Sequence, residues 1–344
     1  MKINFLTIGD ENQPSSRYRG YDFARELNKQ GFECNVWSKN QFEIKNKLEI
    51  LKFPEFVFKR IFDISKTDKE DLFYIQKSTS FFLILPFIYM KLLKRKVIYD
   101  FDDAIFFYCP KRCSLIIKNS NLVITGNEYL ADYAKRYNKK VFVIQTSIDL
   151  DKIYNGDIKE NWKFNEKNKI IIGWIGSKSN LIFLEEIRPL LERLASKYPL
   201  ELRIIGPKDS RKYLENFKNL KIKVIPWKLK TEWKELSEID IGIMPLPNIW
   251  WTEGKCGLKL LQYMALKIPS IGSSIGVNKE IIQNGKNGFL ASNEKDWTNY
   301  LEKLIQNPKL REKLGKAGRK TVEKDYSLEK NAKKLAEIIK SISN

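Results

Sequence analysis

The chain has 344 residues, 43% hydrophobic and 30% charged, which suits two globular domains and excludes a disordered or fibrous chain. Its net charge of +20 is +7 over residues 1–150 (25 basic less 18 acidic) and +13 over the rest, so it is not a tail and favours anionic partners: nucleotide phosphates, an anionic membrane surface or nucleic acid. There is no histidine, which excludes a Ser-His-Asp triad, a Cys-His dyad and His-ligated metals and leaves acid–base chemistry to carboxylates, Lys, Tyr, Cys or the substrate.

The N-terminus enters a strand at once, Lys2 to Ile8, so no export signal is expected. A polar loop, Asp10 to Ser16, leads to a helix over Arg17 to Gln30, stopped by Gly31, and then to a strand over Glu33 to Ser38. This βαβ opening lacks a Gly-x-Gly-x-x-Gly fingerprint. Between Gln41 and Lys69, the residues Phe53, Phe56, Val57, Ile61 and Phe62 suggest helical packing. Further strands are expected at Leu72 to Gln76, Val97 to Phe101, Leu122 to Thr125 and Val141 to Ile144. Helices are expected at Phe81 to Leu93, Arg112 to Asn119 and Glu128 to Tyr137. The longest apolar run, Phe81 to Met90, is too short to span a bilayer and contains Pro86. Cys34, Cys109, Cys113 and Cys256 have no zinc-site spacing and read as reduced thiols.

The pattern lapses from Thr146 to Lys169, a polar stretch read as a linker, and then restarts. Strands are expected at Ile170 to Ile175, Leu200 to Ile205, Ile222 to Ile225, Ile239 to Met244, Ser270 to Gly272 and Gly288 to Ala291. The helices between them are Asn180 to Lys197, Thr231 to Leu236, Gly257 to Leu266 and Asn278 to Ile282. Three more, Glu294 to Ile305, Pro308 to Gly318 and Leu328 to Ile342, end the chain. The fold class is therefore α/β: two doubly wound domains, 1–150 and 151–344, each with a parallel sheet wrapped on both faces. Ligands of such sheets bind beyond the carboxyl ends of the strands, so the two domains are expected to face each other across a cleft.

The working centre is placed at Glu253 to Ala265, Glu-Gly-Lys-Cys-Gly-Leu-Lys-Leu-Leu-Gln-Tyr-Met-Ala. A turn with Gly and Lys opens a helix after a buried strand. Its unpaired N–H groups and dipole suit a diphosphate, with Gly257 at the turn and Lys255 and Lys259 as full charges nearby. Gln262 lies two turns along on about the same face and suits a hydroxyl pair such as a ribose. The turn Gly176-Ser177-Lys178 after Ile170 to Ile175 offers close backbone approach and two phosphate-binding side chains; Gly206 ends a similar strand. In each case an ordinary turn or a solvated lysine is the competing account.

Taken in order, these pieces resemble a nucleotide-sugar glycosyltransferase of the GT-B fold, in the retaining group called family four. The motifs are Ile171-Ile-Gly-Trp-Ile-Gly-Ser, Asp240-Ile-Gly-Ile-Met-Pro-Leu, Gly254-Lys-Cys-Gly-Leu-Lys-Leu-Leu-Gln-Tyr-Met-Ala, Lys267-Ile-Pro-Ser and Asn284-Gly-Lys-Asn-Gly-Phe-Leu. The resemblance implies a C-terminal helix returning towards the N-terminal domain. It also implies transfer of a sugar from a nucleoside diphosphate donor to a hydroxyl with retention, without a metal or other cofactor. The family often has two glutamates separated by seven residues here. This chain has Gln262 at the second place and Glu253 one residue off the first, so the pair is not intact. By the same resemblance, the loop with Ser15, Ser16, Arg17 and Arg19 borders the acceptor. Asp102 and Asp103 stand where many relatives have a histidine near the reacting sugar, and they are the candidates for positioning sugar or acceptor hydroxyls. The competing account makes them a helix cap or partners of Lys or Arg. The implied partners are a nucleotide sugar and a lipid-linked or glycan acceptor, with a product in bacterial surface polysaccharide. Cytoplasmic placement at the inner membrane face is read from the residues: no export signal, a net charge of +20, and apolar stretches Phe53 to Phe62 and Phe81 to Leu93 interleaved with Lys52, Lys59, Arg60, Lys91, Lys94, Arg95 and Lys96. The competing account makes these aromatics the core of the N-terminal domain and the lysines its solvated rim. The runner-up is a catalytically inactive scaffold that binds nucleotide sugar or glycan. Only net charge speaks for nucleic acid, and no recognition motif accompanies it.

Overall fold

A computed structural model describes residues 1–38, 53–77, 81–154, 169–209 and 214–342. Most of the linker read between Thr146 and Lys169, and the early part of the Gln41 to Lys69 segment, lie outside the described residues. The chain divides into two compact units. The first is Met1–Thr146 with Gly254–Cys256 and Leu328–Asn344; the second is Ser147–Glu253 with Gly257–Ser327. The terminal helix Leu328–Lys340 thus groups with the first unit, whereas the division at 150 puts it with the second.

The first unit holds a six-stranded sheet of β1 (Lys2–Thr7), β2 (Glu33–Ser38), β3 (Leu72–Gln76), β4 (Lys96–Phe101), β5 (Leu122–Thr125) and β6 (Val141–Val143), in the order β2-β1-β3-β4-β5-β6. Every pair is parallel. A sheet covered on both faces buries nearly every side chain, and β3 to β5 are buried throughout apart from the first residue of β4, as their continuous apolar runs require. One layer of core joins Ile3, Phe5, Tyr74 and Ile98 of the sheet to Phe23 and Leu27, and also to Leu335 and Ile339 of the terminal helix.

The second unit repeats the plan with β7 (Ile170–Ile175), β8 (Leu200–Gly206), β9 (Lys221–Pro226), β10 (Ile241–Met244), β11 (Ser270–Ser273) and β12 (Phe289–Ala291), in the order β12-β11-β10-β7-β8-β9. Its core gathers Ile172, Trp174, Leu202 and Ile243 with Leu191, Trp297 and Leu301. The direction of winding reverses between β1 and β3 in the first unit and between β7 and β10 in the second. These are the positions where a doubly wound sheet opens a crevice at its carboxyl edge.

Three elements differ from expectation for local reasons. The expected helix Asn180 to Lys197 is two pieces, a 3-10 stretch Lys178–Glu186 and a helix Arg188–Ala195. Pro189 has no N–H to donate and so fits only a helix start. The helix expected from Arg17 begins at Pro14, passes through a π-helical turn, Arg17–Tyr21, and continues as Asp22–Lys29. The helix expected to stop at Gly318 runs on to Asp325. Its glycines serve packing, since a Cβ on Gly315 would lie 1.8 Å from the Lys267 carbonyl oxygen.

Candidate functional site

In the first unit, polar side chains converge where β1, β3 and β4 end. Beyond β1, the Thr7 hydroxyl donates to the Gly9 carbonyl (2.8 Å) and the Gly9 N–H donates to Ser16 Oγ (3.0 Å). Ser16 is wholly buried and so shapes the loop. The neighbouring Ser15 hydroxyl donates to Asp102 Oδ2 at 2.8 Å. Beyond β3, Lys77 sits in the left-handed region at φ 45°, and its N–H donates to the Asp100 carbonyl at 2.6 Å. A side chain in that region costs about 1–2 kcal/mol, and strain of this kind concentrates at functional sites. The turn aims the Lys77 ammonium between two carboxylates, 3.3 Å from Asp102 Oδ1 and 3.2 Å from Asp103 Oδ2. Lys255 stands 3.3 Å from both oxygens of Asp103, and its carbonyl accepts from Asn127 Nδ2 at 3.0 Å. The Cys256 thiol donates to the Asp102 carbonyl at 3.3 Å. Such approach requires Gly126, where a Cβ would lie 2.3 Å from Cys256 Sγ.

The result is a compact set of two carboxylates, two ammonium groups and a hydroxyl. Burial pushes the Asp102 pKa up, but Lys77, Arg19 and the Ser15 hydroxyl outweigh it and hold the carboxyl below its ordinary value. Burial works against charge on Lys77, and Asp102 and Asp103 together outweigh it, so its pKa is raised. Both groups are therefore charged at neutral pH. Burial beside Asp102 pushes the Cys256 thiol well up, so it is no nucleophile.

The two arginines of the opening loop do not join this set. Arg19, 0% exposed, donates through Nε to Asp100 Oδ2 at 3.1 Å, through Nη2 to Asp100 Oδ1 and through Nη1 to the Ile144 carbonyl. Arg17 is buried and donates to the Glu11 carbonyl at 3.1 Å. Their charges brace the π-helical turn and β4 from inside, so neither is presented to an acceptor.

In the second unit, the helix Leu258–Ala265 opens at Gly257, which is left-handed at φ 69°. Lys259, one residue into the helix, reaches β7: its Nζ lies 5.4 Å from the centre of the Trp174 ring. A Cβ on Gly176 would stand 3.0 Å from Lys259 Cε. Gly176 and Lys259 thus meet at the β7 end, beside the reversal between β7 and β10. Tyr263 fixes this geometry: it accepts from the Ile175 N–H at 3.2 Å, donates to the Ile243 carbonyl at 3.3 Å, and lies against Gly242. Ser177 is bound within its own turn, 3.2 Å from Ser179 Oγ and 3.0 Å from Asn180 Nδ2. Lys178 pairs with Asp209 at the surface. Gly206 ends β8, its carbonyl accepting from Trp227 N at 2.9 Å. Glu253 lies against the turn after β11, where a Cβ on Gly276 would be 3.1 Å from its Oε2. Gln262 is 2% exposed and donates to the buried Glu232 Oε1 at 2.8 Å. The carboxamide is turned inward to a carboxylate on another helix.

Sequence reasoning missed Lys77, Asp100 and Glu232. Lys77 and Glu232 are ordinary charged residues with no motif around them, and Asp100, though two residues before Asp102, gives no sign of its own; only the turn after β3, the buried arginine and the packing of two helices give them roles.

Residues 156–321 match the family model described as glycosyl transferases group 1. A probable sucrose-phosphate synthase of Thermosipho melanesiensis is 28% identical over 227 residues, covering 62% of this chain and 50% of that protein. The chain therefore spans half the length of this curated relative. Among solved structures, Anabaena HepE in complex with UDP and glucose superposes with a TM-score of 0.73 at 14% identity, covering 99% of this chain and 100% of that one. Sucrose-phosphate synthase from Thermosynechococcus elongatus gives 0.72 at 14% identity, with 99% and 98% covered. At such identity these two likenesses speak to the fold, which is GT-B.

Proposed function

We propose that this chain, which carries a glycosyl transferases group 1 domain in a GT-B fold, moves a sugar from a nucleoside diphosphate sugar to a hydroxyl with retention. The acceptor is a glycan or a lipid-linked precursor at the inner face of a bacterial cell membrane, in surface polysaccharide synthesis. One arrangement carries the reading: Gly257 opening a helix, with Lys259 beside Gly176 at the carboxyl edge of a parallel sheet. Backbone N–H groups and one ammonium there suit a diphosphate. HepE, solved with UDP and glucose and with UDP-glucose, supports a uridine nucleotide as the first donor to try.

On this reading Lys259, Gly176 and the Gly257 turn stabilise the charge that develops on the leaving diphosphate. Asp102, held ionised by Lys77 and the Ser15 hydroxyl, and Asp103, paired with Lys77 and Lys255, accept hydrogen bonds from sugar or acceptor hydroxyls. The acceptor proton passes to the leaving phosphate oxygen, so no histidine and no cofactor is required. The test is calorimetry with UDP and with uridine. Removing a charge-assisted contact of about 1.5–3 kcal/mol, Lys259→Ala should weaken UDP by roughly 10- to 100-fold and leave uridine within about twofold. Equal losses for both ligands, or none, refute the assignment. Donor turnover by the wild type separates the enzyme from an inactive scaffold.

A further inference from the structure

The helix Phe53–Ser65 links β2 to β3, and the helix Phe81–Leu92 links β3 to β4. Parallel crossovers are right-handed, and both of these step the same way along the sheet. The two helices therefore lie side by side on one face of the first unit's sheet. The other face takes Asp22–Lys29 and the terminal helix.

Each of the two helices is apolar on both sides. Val57 and Ile64, and Phe87 and Met90, are buried towards the sheet. On the outer side, Phe58 is 69% exposed, Phe62 57% and Leu92 75%, with Leu85 and Ile88 also exposed. The spacings 58/62 and 85/88/92 are helical stripes, so these residues form rows. Lys59, Lys66 and Lys94 are exposed among them, and Lys66 Nζ rests 4.0 Å above the Phe62 ring. At the edge, a cavity of about 440 Å³ is lined by Val36, Trp37 and Ser38 of β2 and by Lys59, Arg60, Asp63 and Lys66. Three cations face one carboxylate there. Glu55 is the exposed acid of the first turn.

We infer that this outer surface docks on an anionic membrane. The exposed Phe and Leu rows enter the headgroup boundary, and the cavity beside them receives a lipid phosphate. Lysines interspersed with large apolar side chains favour this occupant over a protein, because Lys is depleted from protein interfaces and its long stem lets the charge reach a headgroup plane. No helix among the described residues is long and apolar enough to cross a membrane. The structure removes Arg95 from the basic set that the sequence offers: it is buried and donates to the Thr67 carbonyl at 2.6 Å. Arg60, largely buried beside the Trp37 ring, remains only as part of the cavity lining.

The inference deepens the membrane placement proposed above and is tested apart from the donor chemistry. Full-length protein is floated with vesicles of three parts phosphatidylcholine to one part phosphatidylglycerol, and with phosphatidylcholine alone. Binding is expected to the anionic vesicles only and to fall with salt. Each lysine near an anionic leaflet contributes a factor of roughly five, so Lys59→Gln with Lys66→Gln should weaken binding about 25-fold. Phe58→Ser with Phe62→Ser should weaken it at least tenfold. UDP affinity and the melting temperature are measured on the same samples and should hold near wild type. A wild type that stays in solution at low salt overturns the inference, as do variants that float unchanged. A change of oligomeric state on Phe58→Ser with no change in flotation also overturns it and marks a protein interface. Loss of UDP binding alone would count against the transferase reading and leave this one standing.

Discussion

Lys77 holds the two carboxylates of the first unit together, and its loss shows in how stability depends on pH. The Asp102 carboxyl is held below its ordinary pKa, so its contribution is complete above about pH 4 and fades as pH falls through the folded value. The Lys77 pKa is raised, so its contribution is complete below about pH 10 and fades as pH rises through its own folded value. Between those limits the pair is charged on both sides. Breaking a largely buried pair leaves an uncompensated charge, so Lys77→Met should cost about 2–4 kcal/mol at pH 7. The deficit should shrink only as pH falls below about 4, through the folded value of Asp102, where the wild type too becomes protonated. Thermal melts at several pH values check this, with Lys77→Arg as the control that keeps the charge. A deficit that does not vary with pH would assign Lys77 to packing alone.

At the scale of elements, the site in the second unit depends on how one helix is seated. The helix Pro308–Asp325 crosses Leu258–Ala265 through two glycines: a Cβ on Gly318 would lie 2.9 Å from Met264 Cγ, and one on Gly315 would enter the Lys267 carbonyl. Arg319 Nη1 donates to the Ala265 carbonyl at 2.6 Å, binding the end of the same helix. Backbone cannot give way as a side-chain tip can. Gly315→Ala should therefore cost about 1–3 kcal/mol or more and weaken UDP, because the helix that carries Lys259 must move. Denaturant melts and UDP titration of the variant test both parts. These glycines also mark what a sequence conceals. The strand and helix alternation was legible because apolar periodicity follows burial. Lys259 and Gly176 stood out only as parts of Gly turns after strands, where an ordinary turn or a solvated lysine reads the same; that the two meet is visible only in the structure. A glycine inside a polar helix looks like a stop, and nothing local distinguishes it from a groove cut for a neighbour. In the same way Arg17 and Arg19 looked like ligand-facing residues, because the buried carboxylate that claims Arg19 lies 81 residues further on. Gln262 looked like a ribose contact, because Glu232 is on a separate helix.

At the scale of the whole molecule, the first unit is assembled from distant pieces of chain, while the second is nearly continuous. Leu328, Leu335 and Ile339 complete a core whose other members begin at Ile3, and Lys334 Nζ donates to the Val143 carbonyl at 2.9 Å. Ending the chain after Ser327 should thus strip the first sheet of one covering layer. We expect the truncated protein to lose the first unit's cooperative transition while the second still melts later in the presence of UDP. At 100 times its dissociation constant, UDP should add about 2.7 kcal/mol to that second transition. Scanning calorimetry of both lengths decides between this and a uniform loss. The arrangement also bears on the order in which the protein comes into being. A ribosome releases the strands of the first sheet well before the helix that seals them, and the second unit emerges in between. The nascent first sheet waits with an apolar face uncovered over that interval, which is when a chaperone would find its binding site.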